Sequence, residues 1–218
     1  MNEQSPLTRH AFKDQMVAIG VPVSDTVLDR LQLYIEFLVK WQKAINLVGP
    51  KTLLDPWRRH ILDSAQLLRE FPEEFGPDRR IVDLGSGAGL PGLIVGLMTG
   101  IPVDLVESDQ RKSTFLREAA RVTGTDAIVH TGRIETIEPL GGSVVTARAL
   151  APLPKLLPWV YRHLEKDGLS LLLKGAEVDE ELTLCGKQWT MSIERKCSLS
   201  DVSGTVLIIN HLTPLSGN

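Results

Sequence analysis

The sequence predicts an α/β fold: a mostly parallel seven-stranded sheet ending in a C-terminal antiparallel hairpin, preceded by an N-terminal helical extension. Three observations predict it. From residue 80 onward, short β-rich runs alternate with helical stretches, the pattern of parallel strands joined by crossover helices. The first of those runs passes directly into a glycine-rich loop and then a helix, through Asp83-Leu84-Gly85-Ser86-Gly87-Ala88-Gly89-Leu90-Pro91-Gly92. The last two β runs are separated only by Ser200-Asp201-Val202-Ser203-Gly204, which is loop chemistry with no room for a helix.

The elements follow in chain order. Residues 7–70 read as helical, with Thr8 and Ser24 as capping candidates. Leu28, Leu31, Tyr34, Ile35, Leu38 and Val39 recur as one apolar stripe. A third helix is expected over residues 54–69, with Trp57, Ile61, Ala65 and Leu68 on one face. Phe71-Pro72 ends it, and Phe75-Gly76-Pro77-Asp78 reads as a linker. The chain is thereby divided into a helical extension, residues 1–77, and an α/β domain, residues 78–218. Strands are expected at 80–84, 102–107, 127–131, 144–148, 169–174, 191–197 and 205–210. Helices are expected at 92–99, 110–122, 154–164 and 178–186. Right-handed crossovers restrict such a sheet to doubly wound forms.

Composition excludes several classes. The 218 residues are 43% hydrophobic and 23% charged, enough for one sizeable core. A net charge of −3 argues against a protein that coats nucleic acid non-specifically, and leaves a local basic patch open. Cys185 and Cys197 have no CxxC spacing and no histidine pair nearby, so neither a disulfide framework nor a metal site is expected. Two unpaired thiols, a polar N-terminus and the lack of an apolar run of membrane-spanning length lead to a cytoplasmic expectation.

The glycine loop carries the first functional signal. Its spacing is GxGxG rather than the GxGxxG of dinucleotide folds, whose pyrophosphate needs a helix N-terminus aimed at it. S-adenosylmethionine has no phosphate and needs a bare backbone trough. Gly85 and Gly87 are therefore cofactor-binding candidates, with a merely glycine-rich turn as the alternative. Glu107 ends the second strand at about the 20-residue distance where doubly wound folds place an acid on the ribose hydroxyls. Arg148 ends the fourth strand, at the carboxyl edge where ligands collect, and its guanidinium suits a phosphate or a cofactor carboxylate. Lys174 holds the matching place on the fifth strand, either as a positioning group or as a surface charge. His60 and Asp63 share a helix face, near a ligand or as a buried docking contact. Asn46 either serves the site or pins a turn before Gly49-Pro50. Lys40, Lys43, Arg58, Arg59, Arg79, Arg80, Arg111 and Lys112 are candidate phosphate contacts near the helical cap and the loop edge of the sheet.

Several ordered segments resemble one family. Asp83 to Gly92 is similar to the first motif of the RsmG (GidB) family of 16S ribosomal RNA guanine-N7 methyltransferases. So are Trp41 through Asn46-Leu47, with Gln42 where asparagine is more usual, and Arg59-His60-Ile61-Leu62-Asp63-Ser64. Arg133-Ile134-Glu135, Ala147-Arg148-Ala149 (alanine replacing the usual serine at 147) and Leu173-Lys174-Gly175 follow in the family's order. The resemblance covers most of the chain and implies a Rossmann-like class I methyltransferase domain. It implies an S-adenosylmethionine site formed by Gly85, Leu90, Ile134, Glu135 and Arg148, with Glu107 on the ribose. It also implies a monomer whose substrate is one guanine in the decoding-region loop of 16S ribosomal RNA, as free RNA or within a small-subunit particle.

Methyl transfer to guanine N7 needs no general base, because that nitrogen carries a free lone pair. Positioning then supplies most of the acceleration. The sequence agrees: no Asn/Asp-Pro-Pro-aromatic motif follows the fourth strand, and neither cysteine sits after a proline as a cytosine-directed nucleophile would. Three other readings remain at this point. They are a nicotinamide-dependent oxidoreductase, a non-catalytic ribosome-binding module, and a methyltransferase for a protein or small molecule.

Overall fold

The computed structural model describes residues 5–72 and 79–215. The linker expected at 75–78, and with it the division at 77/78, lies outside the described residues.

Two regular helices open the chain. Thr8 caps α1 (Arg9–Ala18), its hydroxyl accepting from the Ala11 amide, and Ser24 caps α2 (Asp25–Gln42) by accepting from Val27. The stripe expected on α2 is buried at Leu28, Leu31, Tyr34, Ile35 and Leu38, whereas Val39 is exposed. The turn that follows is pinned by Gln42 rather than Asn46. The Gln42 carbonyl accepts from the Leu47 and Val48 amides at 2.9 and 3.0 Å, and its amide donates to Val48 O and to Asn46 Oδ1.

The expected third helix is an irregular chain of turns. A 3-10 turn (Pro50–Leu54) leads into a π-helical turn (Trp57–Leu62), a single α turn α3 (Asp63–Ala65) and a second 3-10 turn (Gln66–Glu70). Trp57, Ile61 and Ala65 are buried in one cluster as expected, with the half-buried Leu68 packed against it, while Leu67 is buried in a separate cluster with Val144 and Leu171.

Among the described residues seven strands form one sheet in the order β3-β2-β1-β4-β5-β7-β6. They are β1 (Ile81–Leu84), β2 (Val103–Glu107), β3 (Ala127–Thr131), β4 (Gly142–Arg148), β5 (Leu164–Lys174), β6 (Trp189–Cys197) and β7 (Thr205–Pro214). The first five are parallel, and β7 runs antiparallel between β5 and β6, giving the terminal hairpin. The crossover helices are α4 (Gly92–Thr99), α5 (Gln110–Thr123), α6 (Leu153–His163) and α7 (Val178–Cys185).

Strand alternation sorts the core into two faces. Ile81, Val103 and Leu105 point into a cluster with Leu93, Ile94, Phe115, Leu116 and the residues of α1 and α2. Val82, Val106, Val145 and Ala147 point the other way, into a cluster with α6 and α7. The N-terminal helices thus share an apolar core with the sheet. Arg30 of α2 strengthens that contact by donating to the carbonyls of Leu97, Thr123 and Gly124, at the C-terminal ends of α4 and α5. The order reverses between β1 and β4, so the crevice of this sheet opens at their carboxyl ends. No helix among the described residues is long and apolar enough to cross a membrane.

Candidate functional site

The loop leaving β1 is shaped mostly by the protein's own packing. A methyl group on Gly85 would overlap Leu150, one on Gly92 would overlap Asp83, and one on Gly89 would come within 2.8 Å of Leu93 Cβ. Gly87 differs. Its φ is +55°, and a methyl there would meet only the Gly85 carbonyl, at 3.8 Å, among the described residues. Gly87 is thus the loop glycine whose missing side chain leaves room for a ligand.

Two clasps hold this loop. From α2, the buried Tyr34 hydroxyl donates to the Ala88 carbonyl at 2.6 Å; burial pushes its phenol above the ordinary value, so it remains a donor. From β2, Glu107 accepts from the Gly87 amide (2.9 Å, Oε2) and the Asp109 amide (2.8 Å, Oε1). Each carboxylate oxygen keeps a second acceptor site for a hydroxyl. Beneath the loop, Asp83 is fully buried and accepts from Thr146 Oγ1 at 2.6 Å. Its other oxygen makes no sound hydrogen bond among the described residues, although the nearby Gly92 amide still favours the charged form. Burial pushes its pKa up to about 6.

Two cavities meet at the crevice. The first, about 310 Å³, is lined by Gly85, Gly87, Glu107, Ile134 and Glu135, all named from the sequence. Leu90 does not line it: it is 3% exposed and packs in the apolar cluster under the loop. Trp159 and Lys155 of α6 and Leu150 also line this cavity, and the sequence reading missed them. Trp159 and Lys155 sit on a helix whose apolar periodicity says nothing of its partners, and Leu150 follows the strand end with no motif to mark it.

The second cavity, about 370 Å³, holds the other predicted groups: Arg59, His60, Asp63, Arg148 and Lys174. Arg148 donates to Asp63 Oδ2 at 2.9 Å and to the Arg59 carbonyl at 3.1 Å. Lys174 pairs with Glu181 at 2.7 Å and donates to Ala151 O. His60 is 3% exposed and shares a 2.8 Å hydrogen bond with Thr52 Oγ1. Burial, then the Arg148 and Arg59 charges, pull its pKa down to about 3, so the imidazole is neutral at ordinary pH. Ala149 lines both cavities, with a left-handed φ of +48° rare for a residue with a side chain.

The candidate phosphate contacts separate. Lys112 lines the first cavity and Arg59 the second, and Arg59 pairs with Asp201 at 2.7 Å. Arg58 is tied to Asp55 and the Ser5 carbonyl, a structural role. Arg79 and Arg80 precede β1, so they stand at the amino edge of the sheet, about 13 Å of strand away from the loop rather than beside it. Arg80 there pairs with the buried Asp104. Lys40, Lys43 and Arg111 are exposed.

The loop amides bear on the ligand class. Ser86 N donates to Val106 O, Gly87 N to Glu107, and Gly89 N and Leu90 N both to Ser86 O. Pro91 has no donor. The row of free N–H groups that a pyrophosphate requires is therefore largely consumed.

Comparison with known proteins gives a consistent set of likenesses. Residues 27–210 match the family model described as GidB, rRNA small subunit methyltransferase G. The chain is 53% identical over 194 residues to the ribosomal RNA small subunit methyltransferase G of Paramagnetospirillum magneticum, covering 89% of this chain and 92% of that one. It is 46% identical over 214 residues to that of Rhodospirillum centenum, covering 98% and 96%. Among solved structures, a SAM-dependent methyltransferase from Aquifex aeolicus matches with a TM-score of 0.56 at 18% identity, covering 73% of this chain and 95% of that one. A fibrillarin/Nop5p complex matches at 0.54 and 11%, covering 70% and 81%. At such identities these two structures speak to the fold, which is that of class I methyltransferases.

Proposed function

Since the chain belongs to the GidB family, the rRNA small subunit methyltransferase G proteins, we propose that it transfers a methyl group from S-adenosylmethionine to N7 of one guanine in the decoding-region loop of 16S ribosomal RNA. The observation that carries the cofactor assignment is the pairing of Gly87 and Glu107. Gly87 opens onto the same cavity that the Glu107 carboxylate lines. That arrangement suits an adenosyl group lying on bare backbone with its ribose hydroxyls on a carboxylate.

In this reading S-adenosylmethionine, when bound, supplies an electrophilic methyl on a sulfonium. Glu107 accepts from the ribose with the oxygen lone pairs that the Gly87 and Asp109 amides leave free. Ile134 and Glu135 face the base of the nucleoside, and Leu90 supports the loop from below. Arg148, immediately before Ala149, is assigned to the cofactor's amino-acid end at the border with the second cavity. Tyr34 and Glu107 keep the loop in place before any ligand arrives, which lowers the cost of ordering it. No residue is asked to take a proton, because N7 has none to lose. The free thiols of Cys185 and Cys197 suit a reducing compartment, and we place the reaction in the cytoplasm.

The test is methyl transfer from tritiated S-adenosylmethionine to small-subunit particles and to purified 16S RNA, followed by mapping of 7-methylguanosine. Label at a single guanine is the expected result. Binding of NAD without binding of S-adenosylmethionine, or label recovered only in protein, would overturn the proposal.

A further inference from the structure

Beyond Ala149 lies the second cavity, and its charges are arranged in an unusual way. Three cations line it, and each already has a carboxylate. Arg59 pairs with Asp201 at 2.7 Å, Arg148 with Asp63 at 2.9 Å, and Lys174 with Glu181 at 2.7 Å. Asp63 also accepts from Ser200. The remaining titratable group, His60, is buried with its Nε2 on Thr52. Its Nδ1 has no partner among the described residues. The wall mixes apolar side chains with many hydrogen-bonding groups, yet it carries no surplus of positive charge.

Such a wall does not suit a phosphodiester, which is held by cations free to give charge-assisted hydrogen bonds. It suits a neutral ring that becomes positive as it reacts. When a purine nitrogen attacks the methyl carbon, its lone pair forms the new N–C bond. The S–C bonding pair returns to sulfur, which becomes a neutral thioether. No proton moves, and one unit of positive charge passes from sulfur to the ring. An unmatched ammonium or guanidinium beside that ring would oppose the transfer.

We infer that the second cavity receives the acceptor base, turned out of the RNA, and that its matched ion pairs keep the cavity neutral so that the base can take up positive charge. This rests on the methyl-transfer reading above. Ala149, shared by both cavities, marks the border at which the base would meet the sulfonium methyl directly. Glu181 is a positioning residue: it lies behind Lys174 on α7, outside the cavity lining, and acts by cancelling the Lys174 charge.

Glu181→Gln tests this. The amide still accepts from the Leu153 amide, now met by Glu181 at 2.7 Å, but leaves Lys174 unmatched. The kcat for transfer to small-subunit particles should fall by roughly 10–100-fold for a partly buried charge near the ring. The S-adenosylmethionine Kd, by titration calorimetry, should stay within about twofold. The double variant Lys174→Met/Glu181→Gln should recover at least about tenfold of the loss. Should Glu181→Gln prove insoluble, Asp201→Asn provides the same test through Arg59. An unchanged kcat, a double variant no better than the single one, or a loss confined to cofactor Kd would overturn the inference. The parent protein separates the two ideas. If it methylates RNA while Glu181→Gln does so equally well, only the inference fails; if it methylates no RNA, the reading beneath fails as well.

Discussion

Gly85 and Gly87 are two residues apart in one loop, yet they are glycine for different reasons. A side chain at Gly85 would strike Leu150, whereas one at Gly87 would project into the first cavity. Gly87→Val should therefore abolish S-adenosylmethionine binding, at a stability cost of about 1–3 kcal/mol for a branched side chain on left-handed backbone. Gly85→Ala should destabilise the fold more, and Leu150→Ala in the same chain should restore part of the loss; thermal unfolding reads both. Glu107→Ala removes an acceptor from two backbone amides and, on the function proposed above, from the cofactor. It should weaken cofactor binding by roughly 10–150-fold by calorimetry, the worth of one charge-assisted hydrogen bond. Glu107 and the glycines were legible because a motif and a distance mark them. Leu150 was not, since nothing in its neighbourhood reveals that it fills the space Gly85 leaves.

Among the elements, α2 does more than cover the sheet. Its Tyr34 reaches the glycine loop, and its Arg30 closes the ends of α4 and α5. Arg30→Met keeps most of the aliphatic stem and strips three carbonyls of their donor. It should cost roughly 1.5–3 kcal/mol and lower the melting temperature by about 3–12 °C. The strands and crossover helices were legible to within a few residues because period and glycine punctuation are local signals. The segment at residues 50–70 was legible only as helical. A stripe read at one pitch cannot foresee a π turn at Trp57–Leu62, or the second buried face that sets Leu67 against Val144 and Leu171. Contacts such as those of Arg30, which join residues far apart in the chain, leave no periodic trace. The split of the predicted site groups between two cavities, with Arg148 and Lys174 in the second, was hidden for the same reason.

Across the whole molecule, two buried groups set opposing responses to acid. His60, with its folded pKa lowered to about 3, is neutral in the folded state. The unfolded chain takes up that proton first, so this stabilising contribution, full above the unfolded value near 6.5, is lost as pH falls towards 3. Asp83, with its folded pKa raised to about 6, works the other way. The folded state takes up its proton first, so stability is gained as pH falls from about 6 towards the unfolded value near 3.9. Between pH 7 and 5 the His60 loss is about 2 kcal/mol and the Asp83 gain about 1 kcal/mol; buried His163, whose pKa burial also lowers, adds to the loss, leaving a net decline. Urea midpoints measured at pH 7 and 5 should show this. His60→Asn should flatten the decline, and Asp83→Asn should steepen it.

A single residue, Ala149, belongs to the walls of both cavities, and its backbone conformation leaves little freedom to adjust. If filling the first cavity firms that shared wall and tightens RNA several-fold, RNA must tighten the cofactor by the same factor, because the coupling free energy belongs to the pair of sites. Catalytic turnover then loosens both products together, since losing either one relaxes the grip on its neighbour.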